Sequence, residues 1–263
     1  MPARVSIASL FSLEGRFALI TGGTSGIGAS IAHALAGAGA RVAIVGRDRD
    51  RVDAGVDRLR GESGIQAAPI EGFIADLTRA DDTLELAAKV LAEAGAPDIV
   101  VHAAGVNPRT PVDEITPAIW EQTLDLNLRA PFLLSRALVE PMRERGHGRI
   151  ITLASLQSRR AFENGLVYGA SKGGIVQLTR AMAEAWSRHG ITANAIAPGF
   201  FPTALTAPLF LQPGQAAKMA SQTMIGRNGE LSDLHGVAIF LASSASAYVT
   251  AQTIFVDGGW TGR

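Results

Sequence analysis

Tyr168-Gly169-Ala170-Ser171-Lys172 places a phenol and an ammonium at i and i+4, so on a helix both side chains point to one face. A tyrosine with a pKa near ~10 is a poor base at neutral pH, and a nearby ammonium stabilises the phenolate and lowers that value. The pair can then move a proton to or from an alcohol or a carbonyl. Taken alone, YxxxK is equally satisfied by a core tyrosine and a surface lysine. Thirteen residues before the tyrosine stands Ser155, directly after the apolar run Arg149 to Ala154. If that run is a strand of a parallel sheet, Ser155 lies beyond its carboxyl end, where such sheets bind ligands. Its bland alternative is an exposed loop serine beside Gln157 and Ser158.

A second feature is the turn Thr21-Gly22-Gly23-Thr24-Ser25-Gly26-Ile27-Gly28, which follows the first apolar run and opens an Ala-rich helical segment. Glycine permits a tight turn and a close approach of phosphate to the main chain, and the helix start offers unpaired N–H groups with a positive dipole. In the first strand-to-helix turn of an alternating pattern this suits the pyrophosphate of a dinucleotide. Asn127 interrupts the apolar face of the segment starting at Pro117, and a buried amide there must find partners or cost on the order of 1–3 kcal/mol. Arg109, Arg159 and Arg160 follow strand ends and can clamp a carboxylate bidentately, or simply face water.

The elements that must carry these residues alternate. Candidate strands are Phe17 to Thr21, Arg41 to Val45, Ala67 to Ile74, Asp98 to His102, Arg149 to Ala154, Thr192 to Ala197 and Thr253 to Val256. Most are continuous apolar runs, as expected of parallel strands buried on both faces. Helical candidates are Gly26 to Ala38, Asp50 to Glu62, Asp81 to Ala94, Pro117 to Arg145, Gly165 to His189 and Ser232 to Ala242. The pattern predicts an α/β fold: a Rossmann-like, doubly wound parallel sheet of about seven strands with helices on both faces. No linker divides it, so residues 1–263 read as one domain. The stretch from about 200 to 227, broken by Pro202, Pro208 and Pro213, reads as a lid over the substrate.

Composition removes several alternatives. With 47% hydrophobic and 18% charged residues, the chain can bury a large core. Lys+Arg 24 against Asp+Glu 24 leaves no field to draw nucleic acid or anionic membranes. Zero cysteine excludes thiolate catalysis and cysteine-ligated metals, and the five histidines show no ligand spacing, so no catalytic metal is expected. No stretch reaches eighteen apolar residues, and the expectation is a cytoplasmic protein.

TGxxxGIG, YxxxK and the residues between them resemble the short-chain dehydrogenase/reductase family, a likeness running from about Leu13 to Gly259. The resemblance implies hydride transfer between a nicotinamide cofactor and a secondary alcohol or ketone. It implies Tyr168 as general acid/base, Lys172 tuning it and holding the nicotinamide ribose, Ser155 polarising the substrate oxygen, and Asn127 completing a proton relay. A core amide satisfied by nearby backbone describes Asn127 equally well. The family's cofactor contacts fall here on Gly22, Thr24, Ser25, Gly26, Ile27, Gly28, Ala104, Gly105, Tyr168, Lys172, and the Pro198-Gly199 turn with Thr203. Asp76-Leu77 matches an aspartate that accepts from the adenine amino group, and it also reads as a helix cap.

After the second strand, family members preferring NAD carry an acid and those preferring NADP a base. Arg47 stands there, so NADP is favoured, with NAD the alternative and a solvated loop arginine the bland reading. Against NADP, Asp48 follows, and Ser25 fills a slot that is basic in many NADP-preferring members. Where most members have NNAG, this chain has His102-Ala103-Ala104-Gly105, which predicts altered strand hydrogen bonding without lost cofactor affinity and makes His102 a core residue. LxGRFALITGGTSGIG and NAIAPGFFPTALTAPLF look most like gluconate 5-dehydrogenase and deoxygluconate dehydrogenase-type members. That implies a sugar acid or polyol as substrate, bound by Ser155, Gln157, Tyr168, Arg109 and Arg159. The alternatives are reduction of a 3-oxoacyl thioester on a carrier protein and, more remotely, a non-catalytic cofactor-binding protein. The family further implies a homotetramer.

Overall fold

The computed structural model describes residues 6–62 and 69–263. In chain order the elements are α1 (Ile7–Phe11), β1 (Phe17–Thr21), α2 (Gly26–Gly37), β2 (Arg41–Gly46), α3 (Arg49–Glu62), β3 (Ile70–Ile74), α4 (Ala80–Glu93), β4 (Ile99–His102), α5 (Pro117–Leu124), α6 (Ala130–Arg145), β5 (Gly148–Leu153), α7 (Leu166–Trp186), β6 (Ile191–Pro198), α8 (Ala207–Phe210), α9 (Gln215–Ser221), α10 (His235–Ala242) and β7 (Thr253–Val256). The seven expected strands form one sheet in the order β3-β2-β1-β4-β5-β6-β7, and every pairing is parallel. The start of the third predicted strand, residues 67–68, lies outside the described residues.

The apolar runs are buried on both sides because the two faces take alternate residues. Ala18 and Ile20 of β1 pack with Ile31 and Leu35 of α2 and Leu241 of α10, on the face that α3 also covers. Phe17 and Leu19 pack with Leu86 of α4, Leu134 of α6 and Met182 of α7. A side-chain period of two with both sets apolar is what a covered parallel sheet requires.

Two differences from the sequence reading bear on the site. The segment expected as one helix from Pro117 to Arg145 is α5 and α6 joined by a π turn at Asp125–Arg129, with Asn127 buried at its centre. A π turn adds a residue to the helix and so rotates a side chain out of the regular pattern. The proline-rich stretch, for which the sequence reading names no helix, contains α8 and α9. The helix α1 was not anticipated; Ser6 caps it by accepting from Ser9 N–H at 3.0 Å.

Candidate active site

Because all strands run the same way, their carboxyl ends lie along one edge of the sheet, and the residues singled out by type follow those ends. Gly22 follows β1, Arg47 β2, Asp76 β3, Ala104 β4, Ser155 β5 and Gly199 β6. The strand order reverses between β1 and β4, the switch point at which open parallel sheets bind ligands. Two cavities open along this edge and share Gly22, Thr24, Ala104 and Gly105. One is lined by Ser155, Tyr168 and Lys172, and the other by Arg47 and Asp76.

Tyr168 and Lys172 lie on α7, 9% and 5% exposed. The ammonium of Lys172 donates to the Leu153 carbonyl at 2.6 Å and sits 5.5 Å from the centre of the tyrosine ring. Burial without an acidic partner pushes Lys172 down to about 8. Burial also pushes the Tyr168 phenol up, opposed by a hydrogen bond with Ser155 and by the guanidinium of Arg109. The expected lowering by Lys172 is therefore not what shapes the phenol in the free protein: the ammonium is held over the ring and against a carbonyl, and desolvation wins.

Ser155 is oriented by the short turn Leu156–Ser158 after β5. Its hydroxyl accepts from Gln157 N–H at 3.1 Å. Ser158 accepts from Ser155 N–H at 3.2 Å and donates to the Lys172 carbonyl at 2.7 Å, tying the strand end to α7. Ser158 thereby fixes the end of β5 against α7. Asn127 accepts from Val106 N–H at 2.9 Å and donates to Val106 O at 2.9 Å and to Ser171 at 3.0 Å. Gly105 lies between this amide and Lys172: a Cβ there would stand 3.2 Å from Asn127 Oδ1 and 3.7 Å from Lys172 Nζ.

The glycine turn after β1 has the shape that a close approach of phosphate to the main chain requires. Gly22 adopts φ +67°, and a Cβ on it would sit 2.7 Å from Ala104 N; on Gly28 a Cβ would sit 2.3 Å from the Gly22 carbonyl. Only glycine permits this approach of turn, strand and helix. Thr24, Ser25, Gly26 and Ile27 line the same cleft, as do Pro198, Gly199 and Thr203 from the far side. Thr203 lies against Gly26, whose absent Cβ would be 3.5 Å from it. Leu77 lines the neighbouring cavity with Asp76, which accepts from the N–H and hydroxyl of Thr78 at 3.0 and 2.7 Å. These bonds, with Arg47 and Arg79 nearby, hold its carboxyl below the usual range despite partial burial. Asp76 thus caps its own turn, and the first residue before α4, Arg79, has no side-chain cap. Arg51, unnoticed in the sequence, lines that cavity beside Arg47.

On the substrate side, Asn107 Oδ1, Arg109 Nε and Gln157 Oε1 are buried without a hydrogen-bond partner, and all three residues line the cavity of Tyr168. Arg109 has φ +53°, a costly conformation for a side-chain-bearing residue, and burial lowers its pKa. Phe162, Phe200, Leu205 and Leu209 form the apolar part of the wall. Behind it Trp260 stacks on Phe162, ring centres 5.5 Å apart, and meets Phe200 edge-on at 6.1 Å. Arg159 is exposed and is not among the residues lining the cavity; the turn Leu156–Ser158 ends at it.

His102, at the end of β4, is 4% exposed and its Nε2 is 2.7 Å from Ser135 Oγ of α6. Burial depresses it to about 3, so it is a neutral core residue at physiological pH. Thr21 Oγ1 accepts from Ala104 N–H at 3.3 Å, supplying strand fastening where the usual amides are absent. Among the described residues no group of three or more His, Asp or Glu side chains is placed to hold a metal, and no helix is long and apolar enough to cross a membrane.

Comparison with known proteins agrees with this geometry. The family model described as "Enoyl-(Acyl carrier protein) reductase" matches residues 22–261. Gluconate 5-dehydrogenase of Gluconobacter oxydans is 35% identical over 98% of this chain and 99% of its own length. 2-Dehydro-3-deoxy-D-gluconate 5-dehydrogenase of Escherichia coli is 36% identical over 98% of this chain and 100% of its own. The crystal structure of a gluconate 5-dehydrogenase from Burkholderia cenocepacia, in complex with NADP and tartrate, superposes with a TM-score of 0.92 at 37% identity, covering 98% of this chain and 100% of that one. With its parallel seven-stranded sheet, its glycine turn at the switch point and its tyrosine, lysine and serine in one cleft, the chain belongs to the short-chain dehydrogenase/reductase family of oxidoreductases.

Proposed function

We propose that the protein is an NADP-dependent oxidoreductase interconverting a secondary alcohol and a ketone on a sugar acid or polyol. The observation that carries this is that Ser155, Tyr168 and Lys172 line one cavity together with Asn107, Arg109 and Gln157, each of which keeps a buried polar atom without a partner. Two amide oxygens that lack donors suit substrate hydroxyls, and a guanidinium N–H that lacks an acceptor suits a carboxylate. The glycine cradle fits a dinucleotide, which when bound supplies or accepts the hydride. Tyr168 takes the hydroxyl proton in the oxidative direction and returns it in the reductive one. Ser155 donates to the substrate oxygen as negative charge gathers there. Lys172 would hold the nicotinamide ribose, and Asn127 braces the helix that carries Tyr168 through Ser171. Arg47 faces the ribose end of the cleft, and the relatives' complex with NADP supports that cofactor.

The chain is read as one catalytic domain in which residues 200–227 close over the site; Thr203, Leu205 and Leu209 already line it. A homotetramer belongs to the same reading, supported by Trp120 on α5 and Phe132 on α6, both left about 40% exposed. The setting is taken to be the cytoplasm, which cell fractionation tests. The apolar wall of Phe162, Phe200, Leu205 and Leu209 favours a second reading, reduction of a 3-oxoacyl thioester. Purified protein tested with NADPH and NADH against keto-sugar acids, polyols and acetoacetyl thioesters separates them. Turnover of a sugar acid with NADPH is expected. Turnover of the thioester alone replaces the first reading with the second, and quenching of nicotinamide fluorescence without turnover of any carbonyl overturns both.

A further inference from the structure

Helix α3 reaches across to the phosphate-binding turn with two arginines seven residues apart. Arg58 Nη2 donates to the Thr24 carbonyl at 3.1 Å, and Arg51 Nη2 donates to Ser25 Oγ at 3.3 Å. Ser25 precedes α2 and makes no side-chain cap of its own there, so its hydroxyl is given to Arg51. Arg51 and Arg47 line one cavity of the cleft, together with Asp48 and Asp76. The Asp48 carboxylate accepts from Arg51 N–H at 2.9 Å and so caps the start of α3. The capping bond that occupies Asp48 also fixes the first turn from which the Arg51 side chain projects.

We propose that Arg51, acting with Arg47, is a specificity-determining residue that binds the ribose 2′-phosphate of the cofactor. It delivers from α3 the positive charge that residue 25, a serine, does not carry. Two guanidinium groups flanking one cavity end can grip a phosphate through several charge-assisted hydrogen bonds. Ser25 holds Arg51 against the turn, so the cation is in place before the cofactor arrives. This inference rests on the NADP reading above, and its test separates the two.

The experiment is calorimetric titration of the whole protein with adenosine 2′,5′-bisphosphate and with 5′-ADP, which involves no turnover. Wild type is expected to prefer the 2′,5′-bisphosphate. Arg51→Ala is expected to lose ~10- to 100-fold in affinity for it, the range of a charged hydrogen bond, with 5′-ADP binding unchanged. Arg47→Ala should show a comparable loss, and Arg51→Lys should recover part of the affinity. If wild type prefers the bisphosphate and only Arg47→Ala weakens it, the role of Arg51 is overturned and the NADP reading stands. If Arg51→Ala weakens both ligands equally, Arg51 merely shapes the turn and the inference fails. If wild type shows no preference, the NADP reading falls and the inference with it.

Discussion

Asn127 binds Val106 as a neighbouring β-strand would, accepting from its N–H and donating to its carbonyl, each at 2.9 Å. The second amide hydrogen reaches Ser171, whose hydroxyl donates to the Tyr168 carbonyl at 2.7 Å. One side chain therefore joins the loop after β4, the π turn and the helix that carries the tyrosine. Removing it in Asn127→Ala leaves two main-chain groups without partners, at ~1–3 kcal/mol each. A loss of about 2–4 kcal/mol in unfolding free energy is expected from denaturant titration. Wild-type stability would show that the loop does not depend on this clamp.

The phenol of Tyr168 is the proton-transfer group of the proposed reaction. Tyr168→Phe keeps the ring packed against Lys172 and deletes the hydroxyl that bonds Ser155. Turnover should drop at least ~100-fold, the lower range for general acid–base catalysis, with NADPH binding measured by fluorescence changed little. Near-normal turnover would take the role away from this residue.

Arg109 faces the same cavity and pulls the Tyr168 pKa down, against the upward effect of burial. Arg109→Ala should raise KM for an anionic substrate by ~10- to 100-fold while leaving KM for a neutral polyol nearly constant. Loss of the positive charge should also move the basic limb of the kcat–pH profile upward. Equal KM changes for charged and neutral substrates would mean that Arg109 does not hold the carboxylate.

His102 gives the protein a specific sensitivity to acid. Its folded pKa of about 3 lies below the ordinary 6.5, so between those values the unfolded chain binds a proton that the folded chain refuses. Stability falls as pH drops through that window. His102→Gln has no such group and can still bond Ser135. Relative to wild type it should gain about 2 kcal/mol of unfolding free energy between pH 7 and pH 5, at roughly 1.4 kcal/mol per pKa unit. Parallel stability–pH curves for the two proteins would refute this.

The strands and the chemistry-bearing motifs were legible because their signals are local. A run such as Phe17–Thr21 has too many apolar atoms in succession to be anything but covered on both sides, and the glycines that follow it have one backbone reason to be there. The i, i+4 spacing of Tyr168 and Lys172 puts them on one face of any helix. Other features depend on residues distant in the chain. The π turn at Asp125–Arg129 makes sense only once Val106 and Ser171 are seen on either side of Asn127. Nothing in the sequence neighbourhood of Arg51 points to the turn, because Ser25, its partner, is 26 positions away. Ser158 links β5 to α7, and Arg159 beside it leaves the site; nothing in their sequence neighbourhood separates the two.

From the order of residue types alone came the class of fold, the place of the glycine turn and the shared face of Tyr168 and Lys172, since periodicity and steric permission act within a few residues. Folding in three dimensions settled how each group is charged and held. The sign of the Tyr168 shift depends on how much water the surrounding elements exclude. The cations beside the cleft depend on which helix reaches the turn, and desolvation and Coulomb forces act through space without regard to chain distance.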